Sequence, residues 1–221
     1  MAHDYHESQR DAQVQAGIRT VHSGGVDFDA IILTGGTSKR LGGVDKAALS
    51  IAGTTLLERT LDAVSGAQGV VVVGGQQAGV ADERVTVVRE RPAGGGPAAA
   101  IGAGVNALDG SSTVVVVLAC DMPGIASVIP VLLRALASTP DSDGVLARDG
   151  DQIQYLVGAH RLAAMRAAVQ SRDTLHGSSV RSLMDALVLH VVDVPTGSTA
   201  DIDTWEDAST AGASLDSTGD A

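Results

Sequence analysis

The sequence predicts an α/β fold: a Rossmann-like, mostly parallel sheet with helices on both faces. Three observations predict it. Residues 30–33 (AIIL), 70–73 (VVVV) and 114–118 (VVVVL) are apolar without alternation, as expected of strands covered on both sides in a parallel sheet. Segments with helical spacing fall between these runs; Leu56, Leu57, Thr60, Leu61 and Val64 mark one such face. Each apolar run ends in residues suited to binding, with Gly35 and Gly36 after the first, Gly74 and Gly75 after the second, and Asp121 after the third. Ligands of open parallel sheets lie beyond the carboxyl ends of the strands, so these features are expected to share one edge.

Taken in order, residues 1–26 are polar without a clean period and predict a flexible N-terminal extension, with His3, His6 and His22 solvated. A single domain is expected over 27–210. After the first strand and its loop come a helix from Thr54, the valine strand, and a strand over 84–88. The stretch 89–97 (RERPAGGGP) is too rich in Gly and Pro for regular structure. A helix over 98–108, the strand 114–118 and a helix over 125–137 follow. The second half predicts a strand over 152–159, helices over 162–169 and 179–187, and a last strand over 189–194. Tyr155 stands out, being one of only two tyrosines. Asp203 or Thr204 is placed to cap a short helix. Residues 211–221 are small and polar and predict a disordered tail.

Composition narrows the function. A net charge of −11 argues against nucleic acid, and no apolar run is long enough to span a bilayer. No apolar leader opens the chain, so a cytoplasmic protein is expected. The lone Cys120 rules out an intramolecular disulfide and a cysteine-based zinc site, and reads as a buried strand-end thiol. No Lys or Arg follows Arg181, whereas eight acids do. The only two lysines, Lys39 and Lys46, lie in the loop after the first strand. A solvated surface could use either cation, so lysines confined to one loop point to a compact point charge needed there. That exception in an acidic chain suits a small anionic ligand.

The loop itself, from Thr34 to Lys46, holds four glycines and three cations. Glycines let backbone N–H groups approach phosphate oxygens, and cations neutralise the charge. The P-loop order Gly-Lys-Ser/Thr is absent, and adjacent Gly35 and Gly36 break the dinucleotide fingerprint. Asp121, after a rigid apolar strand, is a hard carboxylate suited to magnesium; the competing reading is a helix N-cap for the segment after Gly124. Asp201 or Asp203 is placed to add a second metal ligand, since one carboxylate cannot fill the shell, although acids at a helix start need no function.

Leu33, Gly35, Gly36, Ser38, Arg40, Leu41, Gly42, Asp45 and Lys46 match the L-x-G-G-x-S-x-R-hydrophobic-G signature, followed by Asp-Lys, of nucleotidyltransferases of the nucleotide-diphospho-sugar transferase type. Adding Gly96-Pro97, the run from Cys120 to Pro123 and the run from Asp201 to Asp207, the chain resembles the molybdenum cofactor guanylyltransferases over roughly residues 29–208. The resemblance implies transfer of GMP from GTP to the terminal phosphate of molybdopterin or molybdenum cofactor, with release of pyrophosphate. It implies that Leu33, Thr34, Gly35, Gly36 and Lys46 bind GTP, that Asp121 holds nucleotide-bound Mg2+, and that Gly74 lies beside the guanine. Glu90 falls where the family usually has Asp and would accept from the guanine edge. Lys46 and Arg40 would neutralise the triphosphate. Transient contact with cofactor-handling proteins is a further implication. Alternatives on the same fold are a cytidylyl- or sugar-phosphate nucleotidyltransferase and a non-catalytic nucleotide binder; Asp45-Lys46 favours guanylyl transfer, since many relatives place Pro before that lysine.

Overall fold

The computed structural model describes residues 26–35, 46–74 and 82–215. Seven strands form the main sheet. In chain order they are β1 (Phe28–Leu33), β4 (Val70–Val73), β5 (Val85–Val88), β6 (Val114–Ala119), β7 (Gly144–Asp149), β8 (Gln152–Arg161) and β9 (Leu189–Asp193). Three short strands, β2 (Leu49–Ile51), β3 (Thr54–Thr55) and β10 (Ala213–Leu215), make a separate antiparallel sheet. The main sheet runs β5-β4-β1-β6-β8-β7-β9. Only β8 opposes its neighbours; the other pairings are parallel. A mostly parallel sheet is therefore what forms, as expected from the apolar runs.

Helices cover both faces: α1 (Leu56–Ala63), α2 (Pro97–Ala107), α3 (Ile129–Ser138), α4 (Leu162–Gln170), α5 (Val180–Met184) and α6 (Trp205–Thr210). Strand alternation explains how one apolar run serves two cores. Ala30, Ile32, Val70, Val72, Val116 and Leu118 pack with Leu57 of α1 and Leu132 and Leu136 of α3. Ile31, Leu33, Val71, Val73, Val115 and Val117 pack with Ile101 and Val105 of α2, Met165 of α4 and Leu183 of α5. Gly104 lets α2 sit close to the sheet, since a Cβ there would lie 2.6 Å from Ile31 Cγ2. The glycines that weaken 98–108 as a helix are thus required by its packing.

The helices start where their caps dictate. Thr55 and Glu58 form a capping box on α1, so the helix begins two residues after Thr54. Ser179 caps α5, which ends at Met184, short of Leu187. The helix expected over 125–137 is a 3-10 turn at Ile125–Ser127 followed by α3, with Pro130 in its first turn.

Four strands differ from expectation. Strand β7 was not foreseen; its sequence GVLARD is short and turns polar midway. Strands β2 and β3 are too short for a period to show. Of the tail expected to be disordered over 211–221, residues 213–215 instead form β10, which pairs with β2; residues 216–221 lie outside the described residues. Ala211 and Ala213 pack on a third cluster of Leu49, Leu56, Ile202 and Ala208, and this contact outweighs the weak propensity of the tail. The extension at 1–25 lies outside the described residues.

Candidate active site

Register brings the strand ends together. Leu33 pairs with Val73 on one side and Ala119 on the other. The residues that follow continue the line: Thr34 N donates to Val73 O at 2.9 Å, and Cys120 N donates to Leu33 O at 3.1 Å. Gly74 N donates to Val88 O at 3.1 Å. Gly74 has φ of +142°, and a Cβ there would lie 2.5 Å from Thr34 Oγ1 and 2.6 Å from Gly35 N. Only glycine fits between these strand ends.

Beyond this edge opens a cavity of about 1100 Å³. Its walls include Leu33, Thr34, Gly35, Lys46, Gly74, Glu90, Asp121, Asp201 and Asp203. The described site residues of the sequence reading therefore all reach one space; Gly36 and Arg40 lie outside the described residues. Gly96, Pro97 and Ala100 also line the cavity. The N-terminus of α2 thus opens on it, and its unpaired N–H groups favour an anion there.

Lys46 starts the short 3-10 turn Lys46–Ala48, whose Ala47 is anchored in the core. Its Nζ lies 3.1 Å from Asp121 Oδ2 and also donates to Asp203 Oδ1. Burial works against the ammonium, but the Asp203 hydrogen bond and the Asp121 charge together hold its pKa above the ordinary lysine value. Asp121 does not cap the following 3-10 turn, Ile125–Ser127, whose N-cap is Gly124, without a side-chain hydrogen bond. Its side chain faces the Lys46 ammonium, and the capping alternative is set aside.

Asp201 and Asp203 arrive from the far end of the chain by a laced return segment. Asp149, at the end of β7, accepts from Gly197 N at 2.9 Å and from Thr199 N at 3.1 Å, and these bonds hold its carboxyl below the usual range. Ile202 N then donates to Asp121 O at 3.0 Å. The helix cap at this point is Thr204, in a capping box with Asp207, so neither Asp201 nor Asp203 is consumed by capping. One ligand atom from each of Asp121, Asp201 and Asp203 lies within 4.8 Å of the others. Burial first, then the charges of Asp203 and Asp121, raises the Asp201 carboxyl above its ordinary value. Three converging hard oxygens with mutual repulsion fit a divalent cation.

Glu90 sits in the cavity wall, but its Oε1 accepts from Gly94 N at 3.0 Å. It pairs with neither Arg89 nor Arg91 among the described ion pairs; it braces its own loop. Ile153, Gln154, Tyr155 and Leu156 of β8 form a further wall. They were absent from the candidate site residues, and the placement of Tyr155 in an aromatic-poor chain was the available signal.

The family described as the MobA-like NTP transferase domain matches residues 30–194. A molybdenum cofactor guanylyltransferase of Acidiphilium cryptum is 40% identical over 84 residues, covering 37% of this chain and 43% of that protein. The chain thus matches less than half the length of that relative. Among solved structures, molybdopterin-guanine dinucleotide biosynthesis protein A of Archaeoglobus fulgidus superposes with a TM-score of 0.66 at 20% identity, over 83% of this chain and 96% of that one. A 4-diphosphocytidyl-2C-methyl-D-erythritol synthase of Anaerococcus prevotii reaches 0.64 at 17%, over 85% and 95%. The Mycobacterium tuberculosis protein Rv0371c, solved with manganese, reaches 0.60 at 22%, over 87% and 100%. The structures share the fold, and the family match spans most of the chain: this protein belongs to the MobA-like NTP transferase domain family.

Proposed function

We propose that the protein transfers GMP from GTP to the terminal phosphate of molybdopterin or its molybdenum-bearing form, releasing pyrophosphate. The observation that carries this reading is the convergence of Lys46, Asp121, Asp201 and Asp203 on one cavity at the carboxyl edge of the sheet. The relative from Acidiphilium cryptum supports the choice of substrates.

The acceptor phosphate oxygen attacks the α-phosphorus of GTP in line, and the bond to the β-phosphate oxygen breaks. A phosphate nucleophile is already anionic near neutral pH, so positioning and charge neutralisation supply most of the catalysis. Glycines 35 and 36 let the backbone approach the phosphates, and the N-terminus of α2 adds its field. Lys46 and Arg40 neutralise charge that moves onto the leaving pyrophosphate. Asp121, Asp201 and Asp203 hold the divalent cation, taken here as Mg2+, which supplies charge stabilisation at the phosphate oxygens. Gly74 and Glu90 lie beside the base, and the β8 wall at Tyr155 faces the acceptor. No helix among the described residues is long and apolar enough to cross a membrane, and a cytoplasmic enzyme that meets cofactor-handling proteins transiently fits these soluble substrates.

Pyrophosphate release tests the proposal, measured with Mg2+, molybdopterin and each of GTP, CTP, ATP and UTP. GTP should support release and the others should not. Asp121→Asn should stay folded and lose about a hundredfold or more, the scale of removing one preorganised charge. Release with CTP instead would identify a cytidylyltransferase. Release with none would leave a nucleotide-binding relative without catalysis.

A further inference from the structure

The Lys46 ammonium stands on two of the three carboxylates that suit a divalent cation. It lies 3.1 Å from Asp121 Oδ2 and donates to Asp203 Oδ1. A cation bound by those oxygens at roughly 2.0–2.6 Å would sit against the ammonium. The two positive charges would share the same lone pairs at close range and repel one another. Lys46 is only 15% exposed and Asp121 21%, while Asp203 is 47% exposed, so water screens the repulsion less on the Asp121 side.

We infer that Lys46 is the resident counter-ion of the acidic cluster and exchanges with the divalent cation. When the cation takes Asp121 and Asp203, the ammonium swings off them and its new partner is the triphosphate. The inference rests on the metal–nucleotide reading of this site. It reconciles the contact seen here with the phosphate-binding role that the sequence assigns to Lys46: the two belong to two stages of loading. It also gives the lysine a physical reason. A compact point charge on a flexible stem can let go of a carboxylate, whereas the arginine fork would hold it in a bidentate grip. A further consequence is coupling. A cation alone must displace Lys46 with no anion to receive it; nucleotide provides that anion, so each ligand strengthens the other, reciprocally.

The chain suits a direct test because it has only two lysines. Protein labelled with 15N-lysine and carrying Lys39→Arg has one side-chain ammonium signal, that of Lys46. Titration with Mg2+ should shift this signal and speed its proton exchange with water as the hydrogen bonds to Asp121 and Asp203 are lost. In parallel, Mn2+ binding without nucleotide is read by electron paramagnetic resonance. Lys46→Met should bind Mn2+ about tenfold more tightly than wild type, since the competing charge is gone. A Lys46 signal unmoved by saturating Mg2+, a Lys46→Met protein that binds Mn2+ no tighter, or no Mn2+ binding in either protein overturns the exchange. None of these readings involves GTP turnover. A protein that passes them yet releases no pyrophosphate keeps the exchange and loses the proposed activity; the reverse result separates them the other way.

Discussion

The Asp121 carbonyl accepts a hydrogen bond from the Ile202 N–H at 3.0 Å. That bond ties the end of β6 to the return segment and sets Asp201 and Asp203 opposite Asp121. The Ile202 side chain drives the register, being buried with Leu49, Leu56 and Ala208. Acidic residues alone would repel one another here; an apolar anchor between them holds them in place. Ile202→Ala should therefore lower stability by about 2–4 kcal/mol and also weaken Mn2+ binding. Leu183→Ala, equally buried but in a different core cluster, should lower the melting temperature without changing Mn2+ affinity. Equal Mn2+ affinity in both variants would show that Ile202 supports the fold only.

Much of the site edge was legible because it lies at the ends of strands that are apolar on both faces. Runs such as 70–73 and 114–118 admit few other readings, and the residues after them fall on the cavity by topology alone. The partners of Asp121 were less legible. Its nearness to Asp203 depends on Ile202 packing and on Asp149 holding Gly197 and Thr199, contacts between distant parts of the chain that leave no local pattern. The contact between Lys46 and the acids was missed for the same reason. Strands β2, β3 and β10 are two or three residues each, shorter than the period by which strands are recognised.

Gly74 gives a test of the strand-end geometry. A methyl group there meets Thr34 Oγ1 at 2.5 Å and Gly35 N at 2.6 Å, in a backbone conformation at φ +142° that L-residues rarely adopt. Gly74→Ala must push Thr34 and Gly35 away from β4. We expect a loss of about 1–3 kcal/mol in stability from the strain and at least a tenfold rise in KM for the nucleotide, because the first turn of the phosphate loop moves. Thr34→Ser keeps the Oγ and should leave both values near wild type. A Gly74→Ala protein with unchanged KM would place the nucleotide away from this edge.

His160 predicts a pH dependence unrelated to the cavity. It is fully buried on β8, and neither ring nitrogen has a hydrogen-bond partner. The ring sits where Gly144 and Gly158 leave room; a Cβ on Gly144 would lie 2.3 Å from its Nδ1. Burial lowers its pKa from 6.5 to about 4. Between those values the unfolded chain binds a proton that the folded chain does not. Stability is therefore full above pH 6.5 and falls as pH drops toward 4, by about 3 kcal/mol in all at 1.36 kcal/mol per unit. The measurement is chemical denaturation at about pH 7.5, 6 and 4.5, chosen to bracket that window, on wild type and His160→Leu. The stability of wild type relative to His160→Leu should fall toward acid, as a leucine side chain carries no such penalty. Parallel curves would mean that the imidazole gains a partner on folding.

Glu90 carries two readings, a brace of its own loop and a reader of the base. Its Oε1 accepts from Gly94 N at 3.0 Å, so one oxygen braces the loop that forms the cavity wall beside Gly74 and Pro97. Guanine offers N1–H and the exocyclic N2–H₂ as donors on one edge, and a carboxylate in this wall can accept from them. Bracing and reading separate by substitution. In Glu90→Gln the amide carbonyl can still accept from Gly94 N, while the charge is lost and a donor appears. If the carboxylate reads guanine, preference for GTP over ITP, which lacks N2–H₂, should fall by about tenfold, the scale of one hydrogen bond to a charged group. In Glu90→Ala the brace goes as well, and KM for GTP and ITP should rise together. An unchanged GTP to ITP ratio in Glu90→Gln, with both KM values raised in Glu90→Ala, would make Glu90 a brace alone. The base would then be read by other groups, such as backbone carbonyls of the strand ends, which can accept from the guanine donors.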